Sequence, residues 1–454
     1  MENAKLRYPE KWAELEKIAP VDVVAALKKL AAAFDGTKMI EWMSGLWDVE
    51  RGGFYYSNSA RDTEGYLPDI ESTYQLINVL VGNGAINGRN TLPEPFKAKM
   101  INFIKSCQSP VDGYFYHPQW PQGKENLQND RYGRDLSWST GFINNMTLEE
   151  GGEQVKQYPN YCILGYKCKK HEGTDERCVF PPEPPRREDA RGKTKPDFSS
   201  REAFSAWLEE YNADIKENSG RAHQLSSIRN VITDKGYIDI VLDHLDRVQE
   251  ELYAEQTARG LEPTGLWQTN INYYAIWGLL KYSGYYNDPV YGRELKHAED
   301  IVRTCIKVIS LPPIGDYRMN DMFNQWQGIQ SLLNNMKRFN PDGIERVRDI
   351  LRSDLASLID NSLKKIAPFA LEDGSFTYTS ERRSLTRIYG VPISLGLCEG
   401  DVNAVALVTA MYKGIFTCLG YPVINLQTPQ DGKLFLELIE KAQPIVKKPI
   451  PAQE

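Results

Sequence analysis

A glycine turn flanked by aromatic rings recurs along this chain, and after each turn comes a segment with a polar start and an apolar body. The turns read "DVERGGFYYS" around Gly53, "SPVDGYFYHP" around Gly113, "EPTGLWQTN" around Gly265, "IGDYRMN" around Gly315 and "LEDGSFTYT" around Gly374, at steps of 60, 152, 50 and 59 residues. Repetition at that scale marks stacked supersecondary units, none of which can bury its apolar face alone. The long step has room for one further, degenerate unit plus an insertion, so about six units are expected.

The segments after the turns include "PDIESTYQLINVL" from Pro68, "RDLSWSTGFINNM" from Arg134, "TNINYYAIWGLL" from Thr269, "NDMFNQWQGIQSLLNNM" from Asn320 and "DVNAVALVTAMYKG" from Asp401. Apolar residues occupy most of their circumference, which predicts helices buried on every side. Others, "YIDIVLDHLDRVQEELYAEQ" from Tyr237 and "ERVRDILRSDLASLIDNSLKK" from Glu345, keep apolar residues to one face and charges to the other. An inner and an outer set of helices follow. The expected fold is all-α, an (α/α)6 toroid in which residues 1–454 form one domain.

Turns such as "DGYFY" and "DGSFTY", leading into helices such as "ESTYQLINVL", resemble the repeats of the terpenoid-cyclase and protein-prenyltransferase toroid superfamily. The architecture is also similar to that of (α/α)6 glycoside hydrolases, sugar epimerases and polysaccharide lyases. The resemblance covers 41–146 and 261–422, about 270 of the 454 residues. Its motifs are structural, so it implies a fold more narrowly than an activity.

Residues 150–200 interrupt the pattern. Their Pro, Gly and charge content predicts an irregular insertion lying as a lid across one mouth of the toroid. Helix resumes after Ser200, a residue suited to an N-cap. Within the insertion, Cys162, Cys168, His171 and Cys178 follow the spacing C-x5-C-x2-H-x6-C. Four such ligands suit a structural zinc, with free thiols as the alternative. No other cofactor is expected.

Composition narrows the function classes. Net charge is −7, with Lys and Arg scattered, which argues against a nucleic-acid partner. The N-terminus lacks a signal-peptide core and no apolar run approaches membrane-spanning length, so a soluble, cytoplasmic protein with no membrane partner is expected. Seven cysteines fit free thiols in a reducing compartment, and Cys107, Cys305, Cys398 and Cys418, in apolar surroundings, read as small core residues.

In a toroid the inner helices run parallel, so their N-termini gather at one end. The residues predicted to meet there are Asp69, Glu71, Asp135, Asn270, Asn272, Asn320, Asp321, Glu399, Asp401 and Asn403. Helix capping accounts for one carboxylate per helix. It leaves the second one unexplained in "DIE" at 69–71 and "EGD" at 399–401. Paired carboxylates are what cleavage of a glycosidic bond requires, so Asp401 and Glu399 on one side, with Asp69 and Glu71 opposite, are the candidate catalytic groups. Asp135, Asn270, Asn272, Asp321 and Asn403 are candidate substrate contacts. Tyr56, Trp138 and Trp267 would stack on sugar faces, and His117 sits on a turn at the mouth, with His223 a weaker candidate. Arg387 and Tyr389 would suit a uronate lyase. His244 and His297 read as surface residues.

Two other readings remain. An isoprenoid enzyme follows from the resemblance, but no Asp-x-Asp-Asp or Asp-Asp-x-x-Asp motif is present, and Asn403 stands where a prenyltransferase would carry its zinc-binding Cys. A binding or scaffold toroid would use the acidic helix starts as caps alone. The substrate would be a small molecule or an oligosaccharide.

Overall fold

The computed structural model describes residues 6–108, 115, 117–119, 135, 138–139, 141–143, 146, 196–217, 222, 225–226, 228–269, 275–313, 315–388 and 391–450. The Cys162, Cys168, His171 and Cys178 set, Asn270, Asn272, Tyr389 and His223 lie outside the described residues, as does nearly all of the 150–200 insertion. With 59% helix and 4% strand, the chain is all-α. Its one two-stranded ladder pairs Arg387–Ile388 with Val391–Pro392 among the described residues.

The first helices are α1 (Pro9–Leu15), α2 (Val21–Ala31), α3 (Gly36–Ser44), α4 (Asn58–Asp62), α5 (Ile70–Gly82) and α6 (Glu94–Ser106). After the insertion come α7 (Arg201–Tyr211), α8 (Arg229–Lys235), α9 (Ile238–Ala258), α10 (Ala275–Tyr286), α11 (Ala298–Ser310) and α12 (Met319–Phe339). The chain continues through α13 (Ile344–Arg352), α14 (Leu355–Ile366), α15 (Val402–Leu419) and α16 (Pro429–Glu440). Ser200 caps α7 by accepting from the Ala203 N–H at 3.1 Å.

Four of these helices form a row, α5 against α15, α15 against α12, and α12 against α10. Behind them run α2, α3, α9, α11, α14 and α16, with α14 on α2, α16 on α3 and α11 on α12 and α14. The helices of the row are parallel. The Asp69 N–H donates to the Phe54 carbonyl and the Val402 N–H to that of Tyr56, so the starts of α5 and α15 hang on one short segment. A second segment does the same for α15 and α12, the Asp401 N–H donating to Phe376 O and the Met319 N–H to Tyr378 O, each at 2.9 Å. At its far end α12 meets the end of α10, where the Asn335 amide donates to Tyr286 O.

Those segments are the glycine turns. Antiparallel bridges Trp47–Phe54, Gln108–Phe115 and Ala370–Phe376 close three of them. Gly374 shows why glycine is needed: its φ is +79°, and a Cβ there would stand 2.6 Å from the Met39 nitrogen. In the first turn the left-handed residue is Gly52 rather than Gly53. Aromatic residues of the turns pack inward, as where Phe54 lies against Trp47 at 4.9 Å and also meets Phe96 and Phe435.

The row helices are not buried all round, contrary to the sequence reading. Each carries one half-exposed stripe at helical spacing: Tyr74, Gln75 and Asn78 on α5; Trp277, Leu280 and Lys281 on α10; Asn320, Gln327 and Ser331 on α12; Asn403, Ala406, Ala410, Lys413 and Thr417 on α15. Among the described residues, α15 is also the one helix long and apolar enough to cross a membrane, but 67% of it is buried inside the fold. Cys107, Cys305 and Cys418 are buried as expected, whereas Cys398 is exposed. His244 is likewise buried, not on the surface: its ring bonds Asn212 and Glu209, and burial lowers its pKa.

Candidate functional site at the starts of the row helices

Asp69 and Asp401 are N-caps. The Asp69 carboxylate accepts from the Glu71 N–H at 2.7 Å. In Asp401, Oδ1 accepts from the Ala404 N–H and Oδ2 from the Leu385 N–H, each at 3.1 Å, so the carboxyl both caps α15 and holds the 380–397 hairpin. It is fully buried, and burial pushes its pKa up to about 7. Glu399 adds its negative charge in the same direction.

The second carboxylate of each pair has a different fate. Glu399 is a tether: it accepts from the Ser59 N–H at 2.6 Å, from the Ser59 hydroxyl, and from the Ser384 hydroxyl at 2.9 Å. Ser59 in turn accepts from the Leu395 N–H. Glu399 therefore locks α4 to the hairpin, and its oxygens are committed to structure. Glu71 has no exposure of its own; it lies one turn before the half-exposed Gln75 on the same side of α5, where helical spacing stacks residues four apart. The Gln75 amide bridges two row helices, donating to Glu71 Oε1 and to Asn403 Oδ1 at 3.1 Å each.

The start of α12 is less satisfied. Asp321 Oδ2 accepts from the Arg318 N–H, while Oδ1 has no partner, and burial raises the carboxyl's pKa. Asn324 is 1% exposed and neither of its amide atoms is bonded. On the helix it falls between the half-exposed line of Asn320 and Gln327 and the side of Gly328, which packs on Ile276 and Leu279 of α10. Gln325 Oε1 and Gln75 Oε1 are also unbonded. Buried polar atoms nearly always find partners, so the orphans Asp321 Oδ1, Asn324 and Gln325 Oε1 within one turn of α12 mark a place where a ligand's polar groups would be stabilised.

The remaining predicted residues divide. Asp135 is fully buried, and Trp138 is half-buried, stacked on Tyr74 at 6.0 Å beside α5. His117 is buried against the same helix start. Its Nε2 donates to Pro68 O at 2.6 Å and its Nδ1 accepts from the Gln119 N–H, which fixes the tautomer. Trp267 packs the core instead of a rim: it has no exposure, its indole donates to Leu245 O at 3.0 Å, and it sits edge-on to Tyr282. Tyr56 is buried, and its backbone carbonyl does the tethering already described. Arg387 is exposed on the outer hairpin together with Arg382 and Arg383.

Sequence reasoning missed Gln75 and Asn324. Each lies four residues beyond a polar helix start, Glu71 and Asn320 respectively, so extending the polar line by one turn would have found both. No group of three or more His, Cys, Asp or Glu side chains suited to a metal is present among the described residues. No family model, curated protein or solved structure matches this chain.

Proposed function

We propose that the chain is an (α/α)6 toroid and that it cleaves a glycosidic bond at the end where the row helices begin. The observation that carries this reading is the unspent hydrogen-bonding capacity of Asp321 Oδ1 and Asn324 at the start of α12, the helix that packs on the α15 of the Glu71–Gln75–Asn403 bridge. A polyhydroxylated ring supplies donors and acceptors in the density needed to pair such groups. Four parallel helices backed by an outer layer support the toroid, since each return through an outer helix brings the next start to the same end.

The roles move from the residues first expected. Asp401 and Glu399 position the hairpin and α15. Asp321, whose pKa is raised by burial and whose Oδ1 is unbonded, is the proposed general acid that protonates the leaving oxygen. Glu71, from the far side of α15, is the proposed group that activates water or attacks the sugar. An isoprenoid substrate fits less well, because the half-exposed stripes carry Gln75, Asn78, Asn403, Gln327 and Lys413.

Mass spectrometry of glycans incubated with the protein tests the reading. Products together heavier than the substrate by one water are expected. Turnover should fall roughly a hundredfold or more in Asp321→Asn and in Glu71→Gln, with helical circular dichroism retained. Product from no glycan, or turnover that survives both substitutions, would overturn it. Products summing to the substrate mass, with an unsaturated end, would mean elimination instead.

A further inference from the structure

The charge around the same end points to the class of sugar it accepts. Three of the row helices bring a carboxylate to their first turn or cap: Asp69 for α5, Asp401 for α15 and Asp321 for α12. A helix start normally attracts anions through its unpaired N–H groups. Here side-chain carboxylates already accept from Glu71 N, Ala404 N and Arg318 N. The arginines of the neighbouring hairpin are solvent-exposed, Arg318 at the α12 cap is exposed and offsets part of the Asp321 charge, and Lys413 is about 15 Å further along α15 from Asn403, at 1.5 Å per residue. Among the described residues at this level, the half-exposed positions include the amides Gln75, Asn320 and Asn403 beside Tyr74, and Asn324 is a buried amide next to the Asn320 line.

We infer that these amides form a recognition subsite for a neutral, polyhydroxylated sugar ring, with Asn324 as its specificity-determining residue, and that the surrounding carboxylates exclude uronates and other anionic sugars. The inference rests on the glycan reading above and concerns binding, not cleavage. Asn324 offers one acceptor and two donor hydrogens with no protein partner, which matches the paired donor and acceptor character of vicinal hydroxyls. A carboxylate in the same place would meet the Asp321 carboxyl, and two carboxyl groups that close hold at most one negative charge between them, so one must take up a proton.

Saturation-transfer NMR and calorimetry on the intact protein, with neutral hexose disaccharides and hexuronate disaccharides as probes, give the test. Neutral probes are expected to bind and hexuronates to bind at least tenfold more weakly. Asn324→Leu removes the hydrogen-bonding atoms at similar volume. It should weaken the neutral sugar about tenfold while raising Tm, because an orphaned buried amide is replaced by an apolar group. A purely structural Asn324 would lower Tm on substitution and leave affinity unchanged. That result, or hexuronates binding as well as neutral sugars, or no sugar binding at all, overturns the proposal. Neutral sugar bound without turnover would leave this inference standing and sink the cleavage reading. Cleavage of a hexuronate glycan would do the reverse.

Discussion

Asp401 illustrates how one side chain can hold two elements together and still make the fold sensitive to pH. Its folded-state pKa of about 7 lies above the ordinary 3.8, so between those values the folded chain holds a proton that the unfolded chain has released. Stability from this group is complete below the lower value and is lost as pH rises through the upper one, a linkage of about 4 kcal/mol for a fully buried carboxyl. Asp401→Asn keeps the cap on Ala404 through its amide oxygen but turns its N–H₂ against the Leu385 N–H, donor against donor. The variant should melt below the wild type at pH 5, with the gap narrowing toward pH 8. Thermal melts of both proteins at half-unit pH steps check this, and a constant gap would mean that Asp401 does not titrate in that window. Glu399 responds differently to substitution. Its partners Ser59 and Ser384 are neutral, so Glu399→Gln should cost about 1–3 kcal/mol in urea denaturation by stranding one of those donors.

Among the elements, the glycine turn is the unit that makes the repeat work. It closes with a bridge and then presents a carbonyl to the first N–H of a row helix, so a turn and a helix start are one object. Gly374→Ala forces a side chain into a left-handed residue and against the Met39 backbone, and should cost about 2 kcal/mol or more by chemical denaturation. The turns and the polar helix starts were legible because both are local: glycine with an aromatic fixes the bend, and Asp or Ser before an apolar run marks the cap. What could not be read was which second carboxylate is committed to holding two elements together. Glu71 and Glu399 look alike in sequence, and Ser59, 340 residues from Glu399, together with Ser384, distinguishes them. Trp267 was misplaced on similar grounds, since an indole beside a turn serves a rim or a core according to which neighbour accepts its N–H, and Leu245 does so here.

At the scale of the whole molecule, the two ends of the chain are fastened to each other. Lys447 reaches back to the first unit and donates to the carbonyls of Ala60, Thr63 and Tyr66, with its ammonium 4.4 Å from the centre of the Tyr55 ring. Beside it the Lys448 backbone pairs with Asp62 and Glu64. Arg7 meets Asp431 of α16, and the Gln427 N–H donates to Asn83 O at the end of α5. Charged donors on carbonyls contribute about 1.5–3 kcal/mol each at best, less when half-exposed, so Lys447→Ala should lower stability by about 2 kcal/mol in urea unfolding. Truncation after residue 442 should cost more, because it also removes the Lys448 pairing. No sequence pattern announces this clasp: "PIVKKPI" has neither period nor motif, and its partners are backbone carbonyls about 380 residues away.

That fastening sets an order on synthesis. A chain emerging from the ribosome presents the first unit early, with α4 and the Phe54–Tyr56 segment made but lacking Val402, Glu399 and Lys447, all of which belong to the last eighth of the sequence. The α5 start that carries Glu71 cannot therefore reach its final environment while the chain is still being extended. Glu71, read as part of the working end of the protein, is translated long before the residues that complete its surroundings.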